Sequence, residues 1–214
     1  MITKYGYGTL AVVFIISLVL IAVAIYVPLY IAAVLIALAL LSVVFTLQFF
    51  RDPNRTPPET ANVVVSPADG KVVVIKDLAS HPFYGGGAAK QVSVFMSPLN
   101  VHVNRIPISG KVIHFKYIEG EYLVAFDDAC GERNERTEIG IDNGKIKLFF
   151  KQISGYVARR IVSEVKTGDE VRIGERFGMI RFGSRVDMFL PPEVQIKVKL
   201  DEIARAGETV IASY

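Results

Sequence analysis

From Leu10 to Phe50 the chain carries no charged residue. A bilayer core of ~30 Å needs about 20 apolar helical residues per crossing, and this run is about twice that. Pro28 lies near its middle, where it breaks the helical hydrogen-bond ladder. The spacing therefore predicts a transmembrane hairpin within residues 1–50, with helices at about 10–27 and 29–50, rather than one bent helix. The alternative is a single span preceded by an apolar signal segment. No small-residue cleavage site with polar flanks follows the first run, so the segment is expected to be retained. A hairpin leaves both ends on one side of the membrane. Lys4 before it and Arg51 and Arg55 after it favour the cytoplasmic side. The expectation is an integral protein of the cell membrane with its remaining residues in the cytoplasm.

The rest of the composition narrows the partners. Cys130 is the single cysteine, so no intramolecular disulfide forms and nothing points to an oxidising compartment. A net charge of +3 argues against nucleic acid as the main partner. Basic residues beside a membrane suit anionic lipid headgroups. Asn54-Arg55-Thr56 matches a glycosylation sequon, which beside a cytoplasmic helix end reads as coincidence.

Residues 51–60 form a proline-rich linker, and about 155 residues follow, enough for one domain with its own core. Residues 61–214 read as β-rich. Val63–Val65, Lys71–Ile75, Val92–Phe95, Lys111–Tyr117, Lys145–Phe150 and Val194–Leu200 are short β-branched or aromatic runs between turn signals. Asp142-Asn143-Gly144-Lys145 predicts a hairpin turn, because Asn and Gly tolerate positive φ. Lys166–Val171 and Ala204–Val210 share a small-Gly-acid-x-Val shape, as in the flattened barrels of biotinyl and lipoyl carriers. The expected class is mainly β, a compact barrel or sandwich of the barrel-sandwich-hybrid kind behind the two-helix hairpin.

Several familiar chemistries fail on residue type. Gly85-Gly86-Gly87 continues into Ala-Ala-Lys and is no P-loop, so it reads as a flexible surface loop. His81, His102 and His114 form no HExxH pattern and there are no cysteine pairs, so no metal is expected. Asp127-Asp128 reads as a solvated turn. Three segments resist dismissal: Ser66–Lys71 with Asp69 in a turn, Met96–Pro107 with His102 and Arg105, and Phe177–Asp187 with Gly183-Ser184 inside an apolar run. Alone, the first reads as a turn aspartate, the second as a structural histidine and the third as an ordinary Gly-Ser pair. Together they supply an acid, a base and a hydroxyl beside an unhindered glycine carbonyl.

These residues carry a specific resemblance. Arg51-Asp52-Pro53-Asn54-Arg55, Ser66-Pro67-Ala68-Asp69-Gly70, the Pro98–Pro107 stretch around His102, Asn134-Glu135-Arg136 and Phe182-Gly183-Ser184 resemble, in order, the motifs of the phosphatidylserine decarboxylase family in its short form. The resemblance implies a proenzyme in which Ser184 attacks the Gly183 carbonyl. The products would be a β chain of residues 1–183 and an α chain of 184–214 that stay associated. Ser184 would become a covalent pyruvoyl cofactor, and the activity would be removal of CO₂ from a phospholipid serine headgroup, in phosphatidylserine or archaetidylserine. It further implies proton transfer by His102, oriented by Asp69, with Asn134 and Arg136 framing the site. Longer relatives carry a second histidine where this chain has Arg105, a residue suited to a substrate carboxylate or phosphate. The oligomeric state does not follow from the sequence, a homodimer being one option.

Two other readings use the same features. A membrane-anchored biotinyl-like carrier or adaptor would need an exposed carrier lysine in a hairpin, which is absent here. A membrane-tethered serine hydrolase would use Asp69, His102 and Ser184, but Ser184 lies outside a Gly-x-Ser-x-Gly elbow.

Overall fold

The computed structural model describes residues 1–121, 130–155, 161–181 and 184–214. Two compact units separate, Met1–Asn54 and Arg55–Tyr214.

In the first unit, α1 (Tyr7–Ala24) and α2 (Leu29–Phe49) are both long and apolar enough to cross a membrane, judged by length and composition. Pro28 stands just before α2, where its carbonyl accepts from the backbone of Ile31 and Ala32, so the proline starts a helix instead of bending one. The buried positions of the pair include Ser17, Ala24, Ala32 and Ala39. Small side chains let two helices approach closely in an apolar medium. The Ser17 and Ser42 hydroxyls lie 3.4 Å apart across that contact.

The second unit runs through β1 (Val63–Val65), β2 (Gly70–Leu78), β3 (Ala89–Met96), β4 (Val103–Arg105) and β5 (Gly110–Ile118). After one helical turn, α3 (Cys130–Arg133), come β6 (Arg136–Asp142), β7 (Lys147–Ser154), β8 (Ile161–Ser163), β9 (Glu170–Val171) and β10 (Arg176–Ile180). The chain ends with β11 (Ser184–Leu190), β12 (Gln195–Ile196), β13 (Ile203–Ala204) and β14 (Val210–Ser213). The fold is mainly β, as the sequence predicts, and its largest sheet curls into a half-barrel. That sheet is antiparallel in the order β13-β2-β3-β11-β7-β6-β5-β9. Register shifts at Val72/Val74 and Val112/His114 each break the ladder, which is how a sheet acquires local bend. Two three-stranded sheets, β1-β14-β12 and β4-β10-β8, complete the unit.

Alternation sets the core. Val186, Met188 and Leu190 of β11 meet Val92 and Val94 of β3 and Leu148 and Phe150 of β7 in one buried cluster. Phe150 packs edge-on to Phe177 at 5.6 Å between ring centres. Phe150→Ala should therefore lower stability by about 3–5 kcal/mol, as cavity-forming truncations of buried aromatics do, read as a lower melting midpoint of the detergent-solubilised protein.

The expected turn at Asp142–Lys145 is present. Gly144 sits at φ 80°, and the Asn143 side-chain oxygen accepts from the backbone of Lys145 and Ile146. The two similar Gly-acid segments are also both turns, with positive φ at Gly168 and Gly207, each leading into a short strand. Two expectations need correction. Val194–Leu200 is no continuous strand, since only Gln195 and Ile196 pair, at the edge of a small sheet. Lys197 still bonds the Ile211 carbonyl, but the chain then leaves the sheet and turns at Asp201, with φ 68°. The strand that buries the C-terminal segment is instead β11. The Gly85–Gly87 stretch is exposed, but backbone bonds between His81 and Gly87, Gly86 and His81, and Gly87 and Tyr84 make it a closed turn.

Candidate active site

Ser184 opens β11, the strand hydrogen-bonded on one side to β3 and on the other to β7. It pairs with Met96 at the end of β3 and with Ser154 at the end of β7. Alternation turns its side chain toward the core side, with Val186 and Met188, and it is fully buried. Its hydroxyl donates to the Met96 sulfur at 3.3 Å. The Ser154 hydroxyl is buried with no hydrogen-bond partner among the described residues. Gly183 and Phe182 lie outside the described residues, as does Asp127-Asp128.

His102 lies on the loop that continues β3 past Met96. Within that loop the Asn100 side-chain oxygen accepts from both the backbone and the hydroxyl of Ser97. The histidine is fully buried, and its Nδ1 lies 2.9 Å from the Asn100 carbonyl. A carbonyl can only accept, so Nδ1 carries the hydrogen and, in the neutral ring, Nε2 carries the lone pair. The His102 carbonyl in turn accepts from Ile180 N, at the end of β10. Ile180 is four residues before Ser184, so this bond brings the histidine loop to the strand end that leads toward the serine. A buried amide chain stiffens the region. Thr137 donates to Gln152, Gln152 donates to Asn104 at 2.8 Å, and Asn104 donates to the Pro67 carbonyl and the Met96 sulfur. Met96 sulfur thus receives both Ser184 and Asn104.

Asp69 sits at the start of β2, buried, in the turn that begins at Ser66. One carboxylate oxygen accepts from Arg55 at 2.9 Å and the other from the Ala206 backbone at 2.7 Å. Arg55 also donates to Glu208 at 2.8 Å. Arg105 is 4% exposed and donates to the Gly174 carbonyl, while its Cδ lies where a Cβ on Gly207 would stand. Nothing in its sequence position reveals this burial.

Asn134 is fully buried and donates to the Ser154 carbonyl at 2.7 Å, fixing the strand end opposite Ser184. Next to it, Glu135 accepts from the Tyr117 hydroxyl and from Ile161 N, and its carbonyl accepts from Ser154 N. Arg136 donates to Glu138 and to the Asn134 carbonyl. Asn134 is thus joined through Ser154 to the Ser184 strand, and Arg136 supports Asn134 from behind. Sequence reasoning missed Met96, Ser154, Asn100 and Arg55. Arg55 and Asn100 lay inside matching motifs and Met96 at the head of a singled-out segment, whereas Ser154 left no signal.

The opposite face of β11 presents Arg185, Asp187 and Phe189, which line a cavity of about 640 Å³. It is therefore separated by the sheet from the Ser184 hydroxyl. Arg185 and Asp187 form a buried two-point ion pair, at 2.8 and 3.0 Å. Burial, and next the Lys151 charge, push the His81 imidazole below its usual value. Burial also pushes the Tyr84 phenol up, and it donates to the Phe189 carbonyl at 2.7 Å.

A family model described as phosphatidylserine decarboxylase matches residues 43–212. A phosphatidylserine decarboxylase proenzyme of Chlorobium chlorochromatii is 48% identical over 214 residues, covering 100% of both chains. That of Pelodictyon phaeoclathratiforme is 45% identical over the same span, again with both chains covered in full. That of Prosthecochloris aestuarii is 47% identical over 212 residues, covering 99% of this chain and 97% of its own. The matched span takes in the buried serine of β11, the His102 loop and the Asp69 turn. The chain belongs to the phosphatidylserine decarboxylase family.

Proposed function

We propose that this protein is a phosphatidylserine decarboxylase made as a proenzyme, which converts its own Ser184 into a pyruvoyl group. The observation that carries the reading is the buried Ser184 hydroxyl at the head of β11, in a chain whose relatives are named proenzymes. Its surroundings fit a small neutral ketone. A pyruvoyl has no more heavy atoms than the serine it replaces, and position 184 is flanked by the Met96 thioether and the Ser154 hydroxyl. When formed, the group supplies the electron sink that loss of CO₂ from an amino acid requires.

Maturation starts from the chain's own residues. Ser184 Oγ adds to the Gly183 carbonyl carbon, the peptide C–N bond breaks, and the amide becomes an ester. His102 Nε2 takes the hydroxyl proton and returns it to the leaving amine. Loss of the Cα proton with cleavage of the Cβ–O bond releases residues 1–183 with a C-terminal carboxylate. The dehydroalanine left at 184 tautomerises, adds water and loses ammonia. The Asn100 carbonyl holds His102 in the tautomer this needs. Asp69, held by Arg55 and by Ala206 N, fixes the turn whose Pro67 carbonyl accepts from Asn104 and from Arg105 N on the histidine segment. Asn134 holds the Ser154 strand end across from the reacting residue, Arg136 supports it, and Arg105 braces the turns at Gly174 and Gly207.

The two products remain together because β11, in the 184–214 piece, is hydrogen-bonded on one side to β3 and on the other to β7 of the 1–183 piece. The apolar helices keep the protein with its lipid, whose tails resist leaving the bilayer at ~0.8 kcal/mol per buried CH₂. Lys4, Arg51 and Arg55 support a cytoplasmic placement of the decarboxylase unit at the cell membrane. The test is to incubate the purified protein with phosphatidylserine vesicles and follow CO₂ and the ethanolamine lipid. Borohydride treatment should abolish turnover and raise the mass of the small fragment. No CO₂ release, or activity indifferent to borohydride, would contradict the reading.

A further inference from the structure

The linker that follows the apolar helices carries a cation with two carboxylate partners. Arg55 places one nitrogen 2.9 Å from Asp69 and another 2.8 Å from Glu208. The Arg55 and Asp69 side chains are 11% and 12% exposed, so the pair is largely withdrawn from water. A planar guanidinium fork holds a carboxylate in direction as well as in charge. The second Asp69 oxygen is taken by Ala206 N at 2.7 Å, in the turn that also carries Glu208. Pro57 fixes the linker two residues on, its ring filling the space a Cβ on Gly174 would need.

The positions of these groups along the chain give the cluster its meaning. Arg55 and Asp69 precede the Gly183-Ser184 bond, whereas Ala206 and Glu208 follow it. The Asp69 turn is also the turn whose Pro67 carbonyl accepts from Arg105 N and from Asn104, the residues just after His102.

From this we propose that Arg55 is a positioning residue for self-cleavage. It aims and charges the Asp69 carboxylate and, through Glu208, locks it to the segment downstream of the scissile bond. The role rests on the reading of the chain as a self-cleaving proenzyme, and it makes docking of the linker a condition of maturation. Lysine at 55 keeps the charge beside Asp69 but lacks the fork that reaches both carboxylates.

The experiment follows conversion of the full-length 214-residue precursor by denaturing mass measurement for wild type, Arg55→Gln, Arg55→Lys, Asp69→Asn and the Arg55→Gln/Asp69→Asn double variant. Each Arg55 change is also placed in a Ser184→Ala chain, where melting reports folding without cleavage. Arg55→Gln should slow conversion about ten- to a hundredfold, the usual weight of a hydrogen bond to a charged group. Arg55→Lys should recover part of the rate, and the double variant should be no slower than Asp69→Asn alone. Wild-type conversion in Arg55→Gln would overturn the proposal, as would a slowing that adds in full to that of Asp69→Asn. Failure of both Arg55 variants to fold would make the residue structural and equally overturn it. A wild-type precursor that never splits would remove the self-cleavage reading itself, and this inference with it.

Discussion

Ser184→Ala should leave one intact chain of 214 residues and no decarboxylase activity. In the proposed maturation the substitution removes the single atom that attacks the Gly183 carbonyl and whose later departure creates the ketone. No partial activity is expected, because the proposal makes this residue both nucleophile and cofactor precursor. The fold should survive. The Ser184 hydroxyl donates only to a thioether, a weak acceptor, and its loss should cost about 1 kcal/mol, as for a typical hydrogen bond. Denaturing mass measurement and a melting curve check both halves of the expectation. A variant that still splits after Gly183 would assign the nucleophile elsewhere.

His102→Ala should lower lipid decarboxylation by about 10²–10⁴-fold, the contribution usual for a positioned acid or base. His102 is buried and held by the Asn100 carbonyl in one tautomer, so no mobile surface histidine stands in for it. Arg105 is no substitute, since a guanidinium stays protonated and this one donates to the Gly174 carbonyl. Mass measurement of the same sample separates a maturation defect from a turnover defect. Decarboxylation at the wild-type rate would take His102 out of the mechanism.

The sequence discloses most clearly what depends on local patterning. The uncharged run split by Pro28 appears as α1 and α2, and Asp142–Lys145 turns where Asn and Gly allow it. Ser184-Arg185-Val186-Asp187-Met188 alternates between the core side and the cavity side, a period-2 signal written in the chain. It was obscured because Arg185 and Asp187 are polar yet buried, neutralising each other instead of facing water. Val194–Leu200 misled for the converse reason. Val194 and Val198 enter the core, but Leu200 is exposed and only two residues of the run find a strand partner.

Long-range pairing was the least legible part of the site. Nothing local says that Asp69 meets Arg55 and the Ala206 backbone, or that Asn134 reaches the Ser154 carbonyl. Those bonds exist because the curled sheet brings distant turns to one end. Residue type alone suggested an acid, a base and a hydroxyl. The particular hydrogen of His102 that is held, and the residue holding it, required the fold.

The central claim is that the chain cuts itself before Ser184 and is active only afterwards. Denaturing mass measurement of catalytically active protein tests it most directly. Two species are expected, residues 1–183 and residues 184–214, the smaller with a blocked N-terminus and a mass matching a pyruvoyl in place of serine. A single uncut chain of 214 residues from fully active protein would contradict the account.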